Sequence, residues 1–218
     1  MPILTLENVS FESKQQKIIK NIDLSVEEGA FLTLTGPSGS GKSTLLKLIA
    51  SLITPTDGKI LFENQFQSSF QLTDYRQQVS YCFQQPALFG ATVKDNLVFP
   101  FLVRDEEFNQ EMVQEHLELV DLPTSFLDKK ITEISGGEKQ RVALIRNILF
   151  LPKILLLDEV TSGLDEKSKE IVLELIRLIH TKGVTVLKVT HDEIEIQEAE
   201  HIITIVKGEI LNGTAGGE

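Results

Sequence analysis

The sequence predicts an α/β fold in which a mostly parallel sheet, covered by helices on both faces, is interrupted by a helical insertion. Three observations carry that expectation. A short, mostly apolar run, Ala30 to Thr35, enters a glycine-rich turn, Gly36 to Gly41, and a helix-forming segment, Lys42 to Leu52, leaves it. Further on, Ile154 to Leu157 and Val184 to Val189 are continuous apolar runs of the kind found in strands buried on both faces, with a segment of helical period between them. From about Pro86 to Phe150 no strong strand run occurs, so this stretch reads as a helical insertion between two parts of one sheet. Strands that alternate with helices return to the sheet by crossovers, which makes their pairing parallel.

Each element has a local reason. Ile3 to Val9 and Ile18 to Val26 read as strands, the second alternating apolar Ile22, Leu24 and Val26 with polar Asn21, Asp23 and Ser25. The polar stretch Glu12 to Lys17 between them reads as a hairpin loop, and Glu27-Glu28-Gly29 as a turn. Within the insertion, Asp105 to Val120 has helical spacing behind Asp105 as cap, and Gly136 to Phe150 is a second helix. Between the late strands, Ile171, Val172, Leu175, Ile176, Leu178 and Ile179 fall on one helical face, with Lys169, Glu170, Glu174 and Arg177 opposite. The tail, Asn212 to Glu218, holds three glycines and reads as a loose end.

Composition narrows the function classes. The chain has 218 residues, 41% hydrophobic and 24% charged, as an ordinary globular protein does. Acidic residues outnumber basic ones, 32 to 21, for a formal charge of −11. Neutralising nucleic-acid phosphates needs the opposite excess, so no nucleic-acid partner is expected, although a nucleotide needs only a local site. The single Cys82 cannot form an internal disulfide, which favours a reducing compartment, and in the apolar stretch Val79 to Phe83 it reads as a buried small hydrophobe. No run approaches a membrane span, and the opening Met1 to Glu7 lacks the basic and apolar regions of a signal peptide.

The chemistry is concentrated in a few motifs. Gly36-Pro37-Ser38-Gly39-Ser40-Gly41-Lys42-Ser43-Thr44 fits G-x-x-x-x-G-K-[ST] in full between a strand and a helix. Such a loop turns successive N–H groups into one concavity at a helix N-terminus, where a phosphate binds. Lys42 reaches the β- and γ-phosphates, and the Ser43 hydroxyl suits Mg2+. Ile154 to Leu157 ends in Asp158 and Glu159, at the strand tip where ligands of open α/β sheets sit. Asp158 suits a metal role and Glu159 can polarise a water, although an acidic pair alone is equally a solvated turn. Ser135-Gly136-Gly137-Glu138 opens a helix and offers anion-facing N–H groups, but by itself it also reads as a capping box.

These motifs, in this order, resemble the ATP-binding cassette family, in particular the separate ATPase subunit of an ABC transporter. The likeness extends from Ile3 to about Leu211. It implies a P-loop NTPase (RecA-like) core with an N-terminal antiparallel β subdomain, at 1–85 and 151–218, and an inserted α-helical subdomain at 86–150. It makes the glycine loop Walker A, Leu157-Asp158-Glu159 the end of Walker B, and Ser135 to Glu138 the signature motif. Gln84 then matches the glutamine that meets Mg2+ and senses the membrane partner, and His191 the switch histidine that contacts the γ-phosphate. Asp165, in Ser162-Gly163-Leu164-Asp165, matches the D-loop and is equally the N-cap of the next helix; His191 can also be a surface residue before a helix opened by Thr190 and Glu193.

The resemblance further implies ATP and Mg2+ as cofactors, with Lys42, Glu159 and His191 as catalytic residues. It implies a second cassette subunit closing over ATP in a head-to-tail homodimer, an integral membrane permease, and a peripheral place on the cytoplasmic face of the cell membrane. Tyr75 to Cys82, Thr92 to Leu97, Phe99-Pro100, Leu144 to Asn147 and Pro152-Lys153 look most like subunits of small two-component iron exporters. Leu88, Phe89, Phe99 and Phe101 stand as an exposed permease contact or as core of the insert. The competing classes are a soluble ABC-type ATPase not coupled to transport and a non-hydrolytic nucleotide-binding module. One departure stands out: where the family places an adenine-stacking aromatic this chain has Ser13, with Phe11 two residues earlier, which implies weak, base-tolerant binding unless Phe11 substitutes.

Overall fold

The computed structural model describes residues 1–211. The expected loose end, Asn212 to Glu218, lies outside the described residues. In chain order, β1 (Pro2–Ser13), β2 (Gln16–Glu27) and β3 (Phe31–Thr35) precede α1 (Lys42–Ile49). Then come β4 (Asp57–Phe62), β5 (Gln65–Phe66), α2 (Leu72–Gln78) and β6 (Val79–Cys82). Three helices follow, α3 (Val93–Val103), α4 (Gln110–Glu118) and α5 (Gly136–Ile148). The last third runs β7 (Ile154–Asp158), α6 (Glu166–Thr181), β8 (Thr185–Val189), α7 (Glu193–Gln197), β9 (Ile202–Val206) and β10 (Glu209–Leu211).

The strands form two sheets. One is antiparallel, in the order β2-β1-β4-β5; the other has the order β10-β9-β3-β8-β7-β6. Every pairing in the second is parallel except that of β10 with β9, which confirms the α/β class. Burial explains the unbroken apolar run of β7. Ile154 and Leu156 join a core with α1 and the antiparallel sheet, while Leu155 and Leu157 join a second core with the helical stretch and α6. In a strand, neighbouring residues face opposite sides, so a strand covered on both sides must be apolar throughout.

Several expectations are corrected. The hairpin loop is not Glu12 to Lys17: β1 and β2 run to Ser13 and from Gln16, leaving Lys14 and Gln15 at φ 49° and 64°. Two left-handed residues make a turn whose twist matches that of the paired strands. Asp105 caps no helix; it lies at φ 56° just after α3, and Asn109 caps α4 by accepting from the Met112 N–H at 3.0 Å. Leu178 leaves the buried face of α6, at 38% exposed. Helix α1 ends at Ile49 and α5 at Ile148, short of Leu52 and Phe150. Cys82 is buried as expected, and burial pushes its thiol up to about 12.

The four aromatic and aliphatic candidates of the insert divide. Phe101 is 2% exposed and belongs to the core, and Leu88 is half-buried against that core, so neither is the open contact residue the sequence allowed. Phe89 and Phe99 are exposed and meet edge to face at 5.1 Å. The helix that bears Phe99, α3, is fixed by a Thr92–Asp95 capping box, whose backbone hydrogen bonds hold the Asp95 carboxyl below its ordinary range. Phe101→Ala is expected to cost about 3–5 kcal/mol of stability, and Phe99→Ala less than about 1 kcal/mol. Thermal and denaturant unfolding of the two variants checks the contrast.

Candidate functional site

The glycine loop leaves β3 and enters α1 under tight steric control. Gly36 has φ 132°, and a Cβ there would lie 2.0 Å from the Ile205 carbonyl oxygen of β9. At Gly41, φ 107°, a Cβ would meet Ile19 Cδ1 at 2.7 Å and the Ile18 carbonyl at 3.0 Å. Only glycine fits at either point. The turn between β9 and β10 closes the cradle: the Gly208 N–H donates to the Ser40 carbonyl at 3.0 Å, and the Lys20 N–H to the Gly208 carbonyl at 2.9 Å. Pro37, Ser38 and Gly39 form the exposed crest, and Ser43 and Thr44 start α1 half-buried. No side chain caps α1 and no acid stands in its first turn, so its N-terminal N–H groups and dipole face whatever the loop encloses. Ser40 Oγ is buried without a partner.

Lys42 lies back along this loop, its Nζ donating to the Gly36 and Pro37 carbonyls at 2.8 and 3.0 Å. Burial pulls its ammonium below the ordinary lysine range, while Glu159 and Asp158 oppose the shift. Asp158 is 6% exposed with both oxygens engaged: Ser43 Oγ donates to Oδ1 at 2.8 Å and the Tyr81 hydroxyl to Oδ2 at 2.5 Å. Glu159 follows at φ 51°, its N–H donating to the Val189 carbonyl of β8 at 3.1 Å. That left-handed step sends its carboxylate away from Asp158. Gln84 Nε2 donates to Glu159 Oε2 at 3.0 Å, and His191 Nε2 lies 3.1 Å from Oε1.

Thus Lys42, Ser43, Gln84, Asp158, Glu159 and His191 converge at the carboxyl edge of the parallel sheet. Ser135 to Glu138 do not join them: among the described contacts, they make none with the glycine loop or the two acids. They form the capping box of α5, with Ser135 N–H to Glu138 Oε2 at 2.6 Å and Glu138 N–H to Ser135 Oγ at 3.2 Å. Gly137 packs on α6, where a Cβ would lie 2.7 Å from Ser168 Oγ. Asp165 is the N-cap of α6, accepting from the Ser168 N–H at 2.9 Å. Helix α7 is opened by Asp192 and not by a Thr190–Glu193 box, because the Asp192 carboxylate reaches the Ile194 and Glu195 N–H groups, both at 3.1 Å.

In the first hairpin, Phe11 lies opposite Ile19 and packs half-buried against the core, while Ser13 pairs with Gln16 at the hairpin tip. Sequence reasoning passed over Tyr81, Lys169 and Lys188. A tyrosine in an apolar strand needs a partner for its hydroxyl, and a lysine within the run Val184 to Val189 needs a buried acid. Those were the available signals.

Among the described residues, no group of three or more His, Cys, Asp or Glu is arranged to hold a metal alone. Mg2+ rarely needs one, since it takes one or two carboxylates and completes its shell with water and substrate phosphate. Asp158 beside the Ser43 hydroxyl, with the Gln84 side-chain amide bonded to Glu159, is an oxygen-rich set of that kind, so the residues fit the ion.

Fold and loop together define a P-loop nucleotide-binding protein. A family model described as "ABC transporter" matches residues 19–162, and the chain belongs to that family as an ATP-binding subunit and ABC-type ATPase. It is 51% identical over 205 residues to "Probable iron export ATP-binding protein FetA" of Escherichia coli (strain K12), covering 94% of this chain and 91% of that one. It is 39% identical over 215 residues to "Fe(3+) ions import ATP-binding protein FbpC" of Pasteurella multocida (strain Pm70), covering 95% of this chain and 60% of the relative. The structure of the ATP-binding cassette MJ0796, a dimer in a post-hydrolysis state bound to ADP and Pi, superposes with a TM-score of 0.87 at 32% identity, over 98% of this chain and all of that one. ATP-binding subunits of ABC transporters pair with a membrane permease, and no helix of the described residues is long and apolar enough to cross a membrane.

Tyr81→Phe tests the buried tie. It strips one Asp158 oxygen of its donor, so a loss of about 1–3 kcal/mol in stability is expected. Thermal unfolding without nucleotide measures it, and a melting temperature equal to that of the unaltered protein contradicts the assignment.

Proposed function

We propose that this chain binds Mg2+-ATP between two copies of itself and hydrolyses it to drive a separate membrane permease from the cytoplasmic face. The observation that carries the reading is Glu159, held between Gln84 and His191 and beside the Lys42–Ser43–Asp158 cluster. In this reading 1–85 and 151–218 form the nucleotide-binding core with its β subdomain, and 86–150 the signature-bearing helical subdomain.

The chemistry follows from the residues. The N–H groups of Gly36 to Thr44 and the Lys42 ammonium hold the β- and γ-phosphates. Ser43, Asp158 and Gln84 would hold Mg2+, which would supply positive charge against that of the phosphate oxygens. Glu159 orients a water whose oxygen attacks the γ-phosphorus as the bond to the β-phosphate bridging oxygen breaks, giving ADP and inorganic phosphate. Lys42 and His191 face the charge that grows on the transferred group. Ser135 to Glu138 and Asp165 serve the partner copy's nucleotide, in keeping with their lack of contact to their own glycine loop. ATP therefore acts as an adhesive between copies, and its cleavage loosens them.

A groove between α2, α3 and α5 suits the permease. A cavity of about 410 Å³ is lined there by Leu72, Arg76, Phe99, Arg104 and Phe150, near the exposed Phe89. Apolar rings ringed by arginines suit a short amphipathic segment bearing acids. The likeness to an iron export subunit supports iron or another metal as cargo and export as direction. No metal contact by this chain is required, since the permease handles cargo.

Glu159→Gln is expected to abolish phosphate release and to keep ATP bound in a dimer, read by light scattering after size exclusion. Full turnover in that variant, or a monomer with ATP present, removes the proposed role. The absence of an aromatic at Ser13 leads to a further expectation. Base–aromatic stacking is worth about 1–3 kcal/mol elsewhere, so ATP and GTP should bind within about tenfold of one another in equilibrium titrations. A strong preference for ATP at micromolar affinity contradicts it.

A further inference from the structure

Lys169 of α6 ties down the loop carrying His191 at Asp192, and Arg177 of α6 meets Glu198 at the far end of α7. Lys169 stands one turn into α6, its N–H donating to the Asp165 carbonyl at 2.9 Å. Its Nζ lies 2.5 Å from Asp192 Oδ2 and 3.4 Å from Glu195 Oε1. Asp192 adjoins His191 and is fully committed: Oδ1 caps α7, Oδ2 takes Lys169, and its N–H donates to Thr190 Oγ1 at 3.1 Å. Glu195, whose side chain is 2% exposed, has a second cation in Lys188 of β8 at 3.1 Å. Two lysines and two acids thus form a neutral cluster next to the histidine. A cavity of about 310 Å³ adjoins it, lined by Glu159, Gly163, Lys169, Thr190, His191 and Asp192.

We infer that Lys169 is a positioning residue for the hydrolysis reaction, holding His191 against Glu159 by clamping the Asp192 carboxylate from α6. The inference rests on the role proposed above for His191. The clamp is not the sole support of local structure. Helix α7 keeps its cap through Oδ1, and Glu195 keeps Lys188 on Oε2, although Glu195 Oε1 loses its cation when Lys169 is removed, so some loss of stability accompanies the loss of the clamp. What is lost is the tie between the loop that bears His191 and α6, the helix that Asp165 caps. Burial works against the Lys169 charge, but the hydrogen bond it donates to Asp192 and the field of Glu195 more than offset it and raise its pKa. The clamp is therefore charged at neutral pH. A displacement of about 1 Å in a group that stabilises a transition state can cost on the order of a hundredfold in rate.

The test is steady-state ATP hydrolysis by the full chain, with nucleotide affinity and thermal unfolding measured alongside. Lys169→Met is expected to lower kcat about tenfold or more with KM for ATP within twofold, and Lys169→Arg, which can pair bidentately with Asp192, to restore most of it. Lys169→Gln serves in place of the methionine variant should that fail to fold. In the His191→Ala background Lys169→Met is expected to add no further loss, because both changes remove one function. Wild-type kcat in Lys169→Met, additive losses in the double variant, or a joint fall in affinity and melting temperature that arginine does not restore would each overturn the clamp while leaving His191 in its role. Wild-type turnover in His191→Ala would overturn the reading beneath it, and the clamp with it.

Discussion

The carboxylate of Asp158 is the constraint on which the rest of the site depends. It ends β7, takes the Ser43 hydroxyl from the start of α1 on one oxygen, and takes the Tyr81 hydroxyl from β6 on the other. A buried carboxylate without donors would cost several kcal/mol, so this geometry is enforced by the same burial that makes β7 apolar. Three segments far apart in the chain are thereby locked at one point. Parallel pairing does the rest. β3, β8, β7 and β6 lie side by side, so their carboxyl ends deliver Gly36, His191, Asp158 and Gln84 to one edge. A slip of one residue in β7 would exchange the faces of Leu156 and Leu157 and turn Asp158 away from both hydroxyls.

Next to this fixed point, Glu159 is a strained residue. A non-glycine side chain at φ 51° is disfavoured by roughly 1–2 kcal/mol. The Val189 carbonyl that accepts its N–H, and Gln84 and His191 on its carboxylate, hold it there. Adjacent acids in an ordinary strand would point to opposite faces. The left-handed step instead places one carboxylate inside the sheet's edge and the other in front of it, so the two acids of a dipeptide can serve different atoms of one reaction.

How much of this was legible in the sequence follows from how local each feature is. The glycine loop could be read because its residues satisfy one another within nine positions. β7, β8 and α6 could be read because burial imposes a continuous run or a helical period. β4, β5, β9 and β10 were missed because they acquire their meaning from partners far away, β4 from β1 and β9 from β3, rather than from a local apolar run. Helix α3 was missed because Phe99, Pro100 and Phe101 disturb its period and helix propensity, and a capping box starts it where no apolar rhythm does. Asp105 and Asn109 are equally good cap residues, and the choice between them is made by the turn that ends α3. The cradle of the glycine loop lies largely in the unread parts: Ile205 presses on Gly36, and Gly208 holds Ser40. The motif names the chemistry, and the missed hairpin shapes it.

Charge raises a last question, how a chain of formal charge −11 attracts a triphosphate. The helix termini answer it. Helices α2 to α7 each carry an acid in the first turn: Asp74, Asp95, Glu111, Glu138, Glu166, and Glu193 with Glu195. Each of those acids offsets its own helix dipole. Helix α1 carries none, and its cap is a glycine without a side-chain acceptor, so its positive end is left uncompensated among acidic neighbours. The start of α5 is intermediate, since Glu138 is consumed by the backbone of Ser135, and its carboxyl, despite partial burial, stays below the ordinary range through that bond. In the proposed pairing, an α5 terminus already partly satisfied would be a weak phosphate site alone and would serve as a second wall once α1 of another copy had brought the phosphates to it. That inequality sets the order of events in the proposed pairing: nucleotide first, partner second.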